Sequence, residues 1–332
     1  MNRNKKPFCS LFSAALILTV SASLRAAPLA TLPWPDLSRP TSKNPGGGAK
    51  DAALIVAIER YAFLEDKPVV GARRNANDWH LYLTKTRGVS AENIVFLRDD
   101  QASREKILSG AAEVARRAQP GGTVWFLFIG HGAPSPGKAT GGMLLGVDVQ
   151  NDAESLEERG VSQTEVLSHL AKGKQANTVA IVDSCFSGRS NTGSTLVAGL
   201  QPIVPVPITA AMTGGAILLT AAQGNEYAGP LPGGNRPAFS YLMLAALRGW
   251  GDSNRKGKVT VGEAARYAHR ALQTLLVGRH QTPDIVGPAD GVVVCQSTIE
   301  RGTGDSSHHV STWHSRSRPI YGATRWSRKG AR

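Results

Sequence analysis

Two uninterrupted runs of apolar and β-branched residues, Val124–Ile129 and Thr178–Val182, constrain the fold of this chain more than any other feature. A strand of a parallel sheet that is covered on both faces is apolar throughout, whereas a half-exposed strand alternates apolar and polar residues. The first run ends abruptly in Gly130-His131-Gly132 and the second in Asp183-Ser184-Cys185. Because the carboxyl ends of parallel strands meet at one edge of a sheet, the pattern predicts that the histidine and the cysteine share that edge.

Strand and helix patterns alternate along most of the chain. The predicted strands are residues 53–58, 94–97, 123–129, 143–147, 178–182, 216–220 and 292–295. The predicted helices are residues 75–86, 102–118, 163–170, 239–247 and 262–276. This alternation favours an α/β fold with a mainly parallel central sheet and helices on both faces.

A histidine and a cysteine at one sheet edge are residue types suited to nucleophilic attack on a carbonyl carbon. A thiol has a reference pKa of about 8.5 and is mostly protonated at neutral pH, so a nearby imidazole is needed to accept its proton. The backbone N–H groups of Gly132 and Cys185 could together bind the oxyanion of a tetrahedral intermediate. The alternative is a buried structural cysteine and a hydrogen-bonded core histidine, the commoner role of either residue alone.

The combination of Gly130-His131-Gly132 with Asp183-Ser184-Cys185-Phe186-Ser187-Gly188 resembles the caspase and metacaspase clan of cysteine peptidases, peptidase family C14. The likeness is greatest to bacterial metacaspase-type members and extends from about Ala52 to Val294. It implies the clan's three-layer α/β sandwich, an endopeptidase activity, His131 as the general base and Cys185 as the nucleophile. Protein or peptide substrates are the partners that this activity implies.

Two features depart from the family. Ile129 stands where metacaspases usually have a serine, and the Gln-Ala-Cys signature of animal caspases is absent. A catalytically silent caspase-like module with a binding or regulatory role is therefore the alternative function. The intact pair of His131 and Cys185 favours the enzyme, whereas Ile129 lends some weight to the silent module.

Two carboxylates, Asp78 and Asp183, match the acidic positions with which metacaspases accept arginine or lysine. The resemblance thus implies cleavage after a basic residue, with both carboxylates binding the substrate side chain. Carboxylates pair bidentately with a guanidinium group, which suits this role. Asp78 could instead cap a helix or lie in its first turn, and Asp183 could orient backbone groups near the nucleophile.

The two ends of the chain differ from its centre. Residues 1–27 predict a secretory signal peptide, because a basic start precedes the largely apolar run Leu11–Leu24 and the small residues Ala26-Ala27. An exported protein is expected, periplasmic or extracellular and without stable membrane insertion after cleavage; an uncleaved anchor is the alternative. Residues 28–50 predict a Pro/Gly-rich linker, residues 51–299 the peptidase domain and residues 300–332 a basic, disordered tail.

The net charge of +13 raises the question of nucleic-acid binding. The charge is concentrated in residues 1–27 and 300–332, and the region between carries no basic stripe with interleaved aromatic residues. We therefore expect no nucleic-acid partner for the central region.

No cofactor or metal is expected. Cys9 belongs to the predicted signal peptide, and Cys295 follows an apolar run that indicates a structural cysteine in a late strand. The loop that begins at Asp252 and ends at Glu263 has the spacing of a calcium loop, with Gly257 at the turn. Lys256 places a cation at a ligand position, so we expect the loop to be free of calcium.

Overall fold

The computed structural model describes residues 34–39, 46–135, 142–186, 215–223, 226–233, 235–276 and 278–296. Residues 293–296 are described by their backbone alone. The predicted signal peptide, the predicted tail and most of the predicted linker lie outside the described residues.

Helices and strands alternate through the described residues. The strands are β1 (Ala52–Ala57), β2 (Ile94–Arg98), β3 (Thr123–Ile129), β4 (Gly132–Pro134), β5 (Gly142–Leu145), β6 (Gly160–Ser162), β7 (Asn177–Asp183), β8 (Ala216–Thr220), β9 (Lys258–Thr260), β10 (Asp284–Val286) and β11 (Val293–Gln296). The helices are α1 (Ala72–Leu81), α2 (Arg104–Arg117), α3 (Ala153–Arg159), α4 (Gln163–Leu170), α5 (Ala238–Ala245) and α6 (Val261–Leu275). Wider π-type turns continue α1 over Tyr82–Arg87 and α5 over Ala246–Trp250.

The central sheet has six strands in the order β10-β8-β7-β3-β1-β2. The five strands from β8 to β2 are parallel to one another, and β10 pairs antiparallel with β8 at the edge. Parallel strands buried on both faces have continuous apolar sequences, and β1 and β3 are buried at every residue. The predicted mainly parallel α/β fold is confirmed.

Alternate side chains of β1 divide the core into two layers. Ala53 and Ile55 pack in one hydrophobic cluster with residues of α1, α5 and α6. Leu54 and Val56 pack in a second cluster with residues of α2, α3 and α4. Successive side chains of a strand point to opposite faces, so this division places helices on both faces of the sheet. The molecule has the three layers that the resemblance implied.

Several helices begin at side-chain caps that are readable in the sequence. The hydroxyl groups of Ser103 and Ser162, and the carboxylate of Asp152, each accept a backbone N–H three residues later. Thr260 and Glu263 form a reciprocal capping box at the start of α6. Each cap satisfies an N–H group that has no partner within the helix.

The structure differs from the predictions mainly in short elements. Helix α1 begins at Ala72, three residues before the predicted start. The prediction missed this first turn because its residues show little apolar periodicity. The predicted strand near Met143 is β5, which pairs antiparallel with β4 and β6 in a separate three-stranded sheet. The late strand exists as β11, but it pairs with β9 outside the central sheet. Strands of three residues are too short to show a period of two in sequence.

Candidate active site

Strands β3 and β7 carry the histidine and the cysteine to the same level of the sheet edge. They are parallel neighbours, and Ile129 lies opposite Asp183 in their register. His131 lies two residues after Ile129, and Cys185 lies two residues after Asp183. Both side chains are buried. Both line one cavity of about 140 Å³. The structure therefore brings together two residues that are 54 positions apart in the sequence.

The rest of the cavity wall is mostly uncharged. The residues that line it are Pro68, Val69, Val70, Gly130, His131, Asp183, Ser184, Cys185, Ala228, Gly229, Pro230, Asn235 and Pro237. Asp183 is the one carboxylate among these described residues. A cavity with apolar walls and a few convergent polar groups is the usual form of a small binding site.

The position of His131 is determined by two hydrogen bonds. Its backbone N–H donates to the hydroxyl oxygen of Tyr61 at 2.6 Å, and the two rings lie 5.0 Å apart. Its Nε2 lies 2.6 Å from the carbonyl oxygen of Lys67. Because a carbonyl oxygen can only accept, Nε2 carries the proton, and Nδ1 has the lone pair in the neutral ring.

Burial lowers the pKa of His131 to about 4; the hydrogen bond with the carbonyl of Lys67 opposes this shift, and the ammonium group of Lys67 adds to it. The imidazole is therefore neutral at neutral pH. A neutral imidazole is the form that can accept a proton from a thiol.

Gly132 begins β4, directly after the histidine, and packs against the backbone near the cysteine. A Cβ atom at this position would lie 2.5 Å from Ser184 Oγ and 2.7 Å from the carbonyl oxygen of Cys185. These distances exclude any side chain without movement of the backbone. The absence of a side chain thus lets the two strand ends approach each other closely.

Asp183 is the last residue of β7, and its side chain is buried. The backbone N–H of Ser240, in α5, donates to Asp183 Oδ2 at 2.7 Å. Burial raises the pKa of the carboxyl group to about 6, while hydrogen bonds from Ser240 and the charge of Arg279 oppose the rise. The group is therefore anionic at neutral pH and becomes neutral as the pH falls below about 6.

Asp78 does not line the cavity with Asp183. It lies within α1, six residues after the first residue of that helix, so it is neither a cap nor a first-turn carboxylate. Its Oδ2 forms a buried ion pair with the guanidinium group of Arg236. The two carboxylates predicted to form one basic-specific site therefore have different partners.

Ile129, the departure from the metacaspase pattern, lies in the core. Its side chain is fully buried in the cluster formed with α1, α5 and α6, and it is absent from the cavity wall. Ile129 thus contributes to the packing behind the sheet edge.

Sequence reasoning missed four residues that shape the site: Tyr61, Lys67, Arg236 and Ser240. Tyr61 and Lys67 act on His131 through a hydroxyl oxygen and a backbone carbonyl, neither of which leaves a motif. Arg236 and Asp78 are 158 positions apart, and no local pattern marks the pair.

The loop from Asp252 to Glu263, which has the spacing of a calcium loop, is hydrogen-bonded within the chain. Asp252 accepts the backbone N–H groups of Lys256 at 3.0 Å and Gly257 at 2.8 Å. Lys256 Nζ lies 2.7 Å from Glu263 Oε1, so the lysine occupies the carboxylate at the last ligand position. Within the described ranges, no group of three or more His, Cys, Asp or Glu side chains is placed to hold a metal ion.

Among the residues that the structure describes, no helix combines the length and apolar character needed to span a membrane.

Comparisons with known proteins find similar solved structures. A protein of Geobacter sulfurreducens solved as a structural genomics target has a TM-score of 0.50 and 16% identity, covering 75% of this chain and 98% of its own. Caspase-1 from Spodoptera frugiperda has a TM-score of 0.48 and 12% identity, covering 77% of this chain and 92% of its own. The structure of pro-Sf-caspase-1 has a TM-score of 0.44 and 12% identity, with coverage of 82% and 99%. No protein-family model and no curated protein matches the chain.

Proposed function

We propose that this chain is a cysteine endopeptidase in which Cys185 is the nucleophile and His131 the general base. The observation that carries the proposal is that these two residues, on the ends of neighbouring parallel strands, line the same cavity. A nucleophile and a base that converge in a concave, mostly apolar site are the elements of covalent acyl transfer. The sequence resemblance to caspases and metacaspases supports the same reaction.

The proposed reaction begins with transfer of the thiol proton of Cys185 to Nδ1 of His131. The Nε2–H group stays bonded to the carbonyl of Lys67, which orients the ring and stabilises the imidazolium that forms. The thiolate attacks the carbonyl carbon of the peptide, and the backbone N–H groups of Gly132 and Cys185 are the proposed donors to the oxyanion. The C–N bond then breaks, and the imidazolium gives its proton to the leaving amine. Water, deprotonated by His131, hydrolyses the thioester and releases Cys185.

The proposed substrates are peptides with arginine or lysine on the acyl side of the scissile bond. Asp183 supports this choice, because it is the one carboxylate on the described cavity wall. A guanidinium or ammonium group in the cavity would pair with it above pH 6, where it is ionised.

The first prediction tests the pair of catalytic residues. Cys185→Ala and His131→Ala should each lower kcat on an arginyl peptide by roughly 10³-fold or more, because each removes one half of a single reaction unit. The double variant should be no slower than either single variant, and thermal melting should show that all three fold.

Chemical labelling provides an independent measurement. An arginyl electrophile should modify Cys185 in the natural chain and in a Cys295→Ala control, and it should leave Cys185→Ala unmodified. Normal turnover in Cys185→Ala would rule out the mechanism.

A further inference from the structure

Arg236 neutralises Asp78 in the interior of the protein. The guanidinium Nη2 contacts Asp78 Oδ2, and Nε donates to Asn75 Oδ1 at 2.7 Å. Its Cζ also lies 4.8 Å from the centre of the Tyr241 ring. The side chains of the ion pair are only 4% and 5% exposed, so water screens the pair little. The ion pair and the hydrogen bond hold Arg236 against α1, and the ring contact holds it against α5.

The backbone around Arg236 forms part of the cavity wall although its side chain does not. Pro230 and Pro237 form an antiparallel bridge, and the N–H of Leu231 donates to the carbonyl of Arg236 at 2.9 Å. Asn235 and Pro237 line the cavity, whereas Arg236 is absent from its wall. The side chain of Arg236 is instead turned toward α1, where it forms the buried ion pair with Asp78.

A hydrogen-bonded network connects this ion pair to Asp183. Asn75 Nδ2 donates to Ser240 Oγ at 2.8 Å, and the backbone N–H of Ser240 donates to Asp183 Oδ2 at 2.7 Å. One end of the network thus carries a carboxylate paired with a cation. The other end carries a carboxylate that is bonded to the neutral Ser240 and lines the cavity.

We propose that Arg236 is a specificity-determining residue that holds Asp78 away from the substrate, so that a basic substrate side chain pairs with Asp183 alone. This inference rests on the proposed peptidase function. A substrate cation could reach Asp78 only by displacing Arg236, which would leave a buried guanidinium without its carboxylate. Arg236 therefore limits how strongly the enzyme prefers arginine over a neutral residue of the same shape.

The test compares an arginyl peptide with the matching citrullyl peptide, whose side chain has nearly the same shape without the charge. The ratio of kcat/KM on the two peptides is measured for four enzymes: the natural chain, Asp78→Asn, Arg236→Gln and the double variant. Asp78→Asn should change the ratio by less than about 3-fold, because the natural Asp78 does not meet the substrate. Arg236→Gln should raise the ratio by about 10-fold or more, because the carboxylate of Asp78 is then no longer paired with Arg236. A tenfold change corresponds to about 1.4 kcal/mol of transition-state binding free energy. The double variant should return to the natural ratio.

Two controls separate specificity from stability. Arg236→Lys keeps the cation beside Asp78 and should retain the natural ratio. Arg104→Gln removes an arginine that pairs with Glu165 on the opposite face of the sheet and should also leave the ratio unchanged. Thermal melting of each variant reports folding; if Arg236→Gln does not fold, a loss of arginyl preference by 10-fold or more in Asp78→Asn would still overturn the inference.

The outcomes that contradict this inference differ from those that contradict the peptidase. A loss of arginyl preference by 10-fold or more in Asp78→Asn would show that Asp78 meets the substrate and would overturn the role of Arg236. A folded Arg236→Gln with an unchanged ratio would do the same. Either result leaves the catalytic pair intact, whereas a natural chain with no Cys185-dependent turnover would overturn the proposed function itself.

Discussion

At the scale of single residues, two titratable groups in the cavity have pKa values displaced in opposite directions by burial. The pKa of His131 is lowered to about 4 and that of Asp183 is raised to about 6. Burial disfavours the charged form of each group, which is the protonated form of a histidine and the deprotonated form of a carboxyl group. Between pH 4 and pH 6 the site therefore contains a neutral base and a mostly neutral acid.

This difference predicts a pH dependence that varies with the substrate. As the pH falls through about 6, Asp183 gains a proton and loses its attraction for a cation, so kcat/KM on an arginyl peptide should fall there. On the citrullyl peptide, kcat/KM should stay level until the pH approaches 4, where His131 becomes protonated. Initial rates from pH 3.5 to pH 8 measure both profiles.

Asp183→Asn provides the control for this prediction. In this variant, kcat/KM on the arginyl and citrullyl peptides should decline over the same pH range, because the carboxyl group that titrates near pH 6 is gone. The groups that act on the pKa of Asp183 are Ser240, through hydrogen bonds, and Arg279, through its charge. If kcat/KM of the natural chain declines over the same acidic pH range for both peptides, Asp183 does not bind the substrate cation.

At the scale of elements, α6 shows how a helix begins where its sequence places a reciprocal cap. Thr260 Oγ1 accepts the backbone N–H of Glu263 at 3.1 Å, and the N–H of Thr260 donates to Glu263 Oε2 at 2.9 Å. The same segment matches a calcium loop in spacing, but the carboxylate of Glu263 accepts the N–H that begins the helix and pairs with Lys256. The capping box is the local use of this carboxylate in the structure.

Thr260→Ala should lower the free energy of unfolding by about 1 kcal/mol, the usual cost of losing an N-terminal cap. The matched control is Thr274→Ala in the last turn of the same helix, where the exposed hydroxyl donates to the carbonyl of Arg270. This control should stay within about 0.5 kcal/mol of the natural protein. Urea unfolding measures both variants, and equal losses would argue against a cap at Thr260.

At the scale of the whole molecule, Asp51 joins three parts of the chain at the edge of the sheet opposite the cavity. Its carboxylate accepts the backbone N–H of Thr123 at 2.9 Å and the indole N–H of Trp125 at 3.0 Å. Arg87 Nε donates to it at 3.0 Å. The start of β3 and the end of the α1 extension are thereby held next to β1.

Asp51→Ala should lower the free energy of unfolding by about 3–5 kcal/mol, because it removes a buried carboxylate that pairs with Arg87 and accepts hydrogen bonds from Thr123 and Trp125. It should leave kcat unchanged under conditions where the variant is folded, since the site is at the other end of the strands. Asp290→Ala, which removes an exposed ion pair with Arg266, should cost less than about 1 kcal/mol. Denaturant unfolding and single-substrate kinetics decide the matter, and a small stability loss in Asp51→Ala would contradict this role.

The sequence by itself determined the five parallel strands of the central sheet, five of the helices that cover it and the edge at which the histidine and the cysteine meet, whereas β10 and α3 are too short to be marked by a pattern. Strand β3 and helix α4 have the predicted bounds, because continuous apolar runs and helical periodicity are local properties of the chain. The convergence of His131 and Cys185 follows equally directly, since parallel neighbours necessarily present their carboxyl ends at one edge.

Only the tertiary structure decided which groups meet at that edge. The resemblance to metacaspases implies that Asp78 and Asp183 act together on the substrate, yet Asp78 pairs with Arg236, and Ser240 bonds to Asp183. The partner of a buried carboxylate depends on which elements pack beside it, here α1 against the segment that precedes α5. The contacts of Arg236 with Asn75 and Asp78 join residues 161 and 158 positions apart, and Ser240 lies 57 positions from Asp183, so no local spacing encodes them.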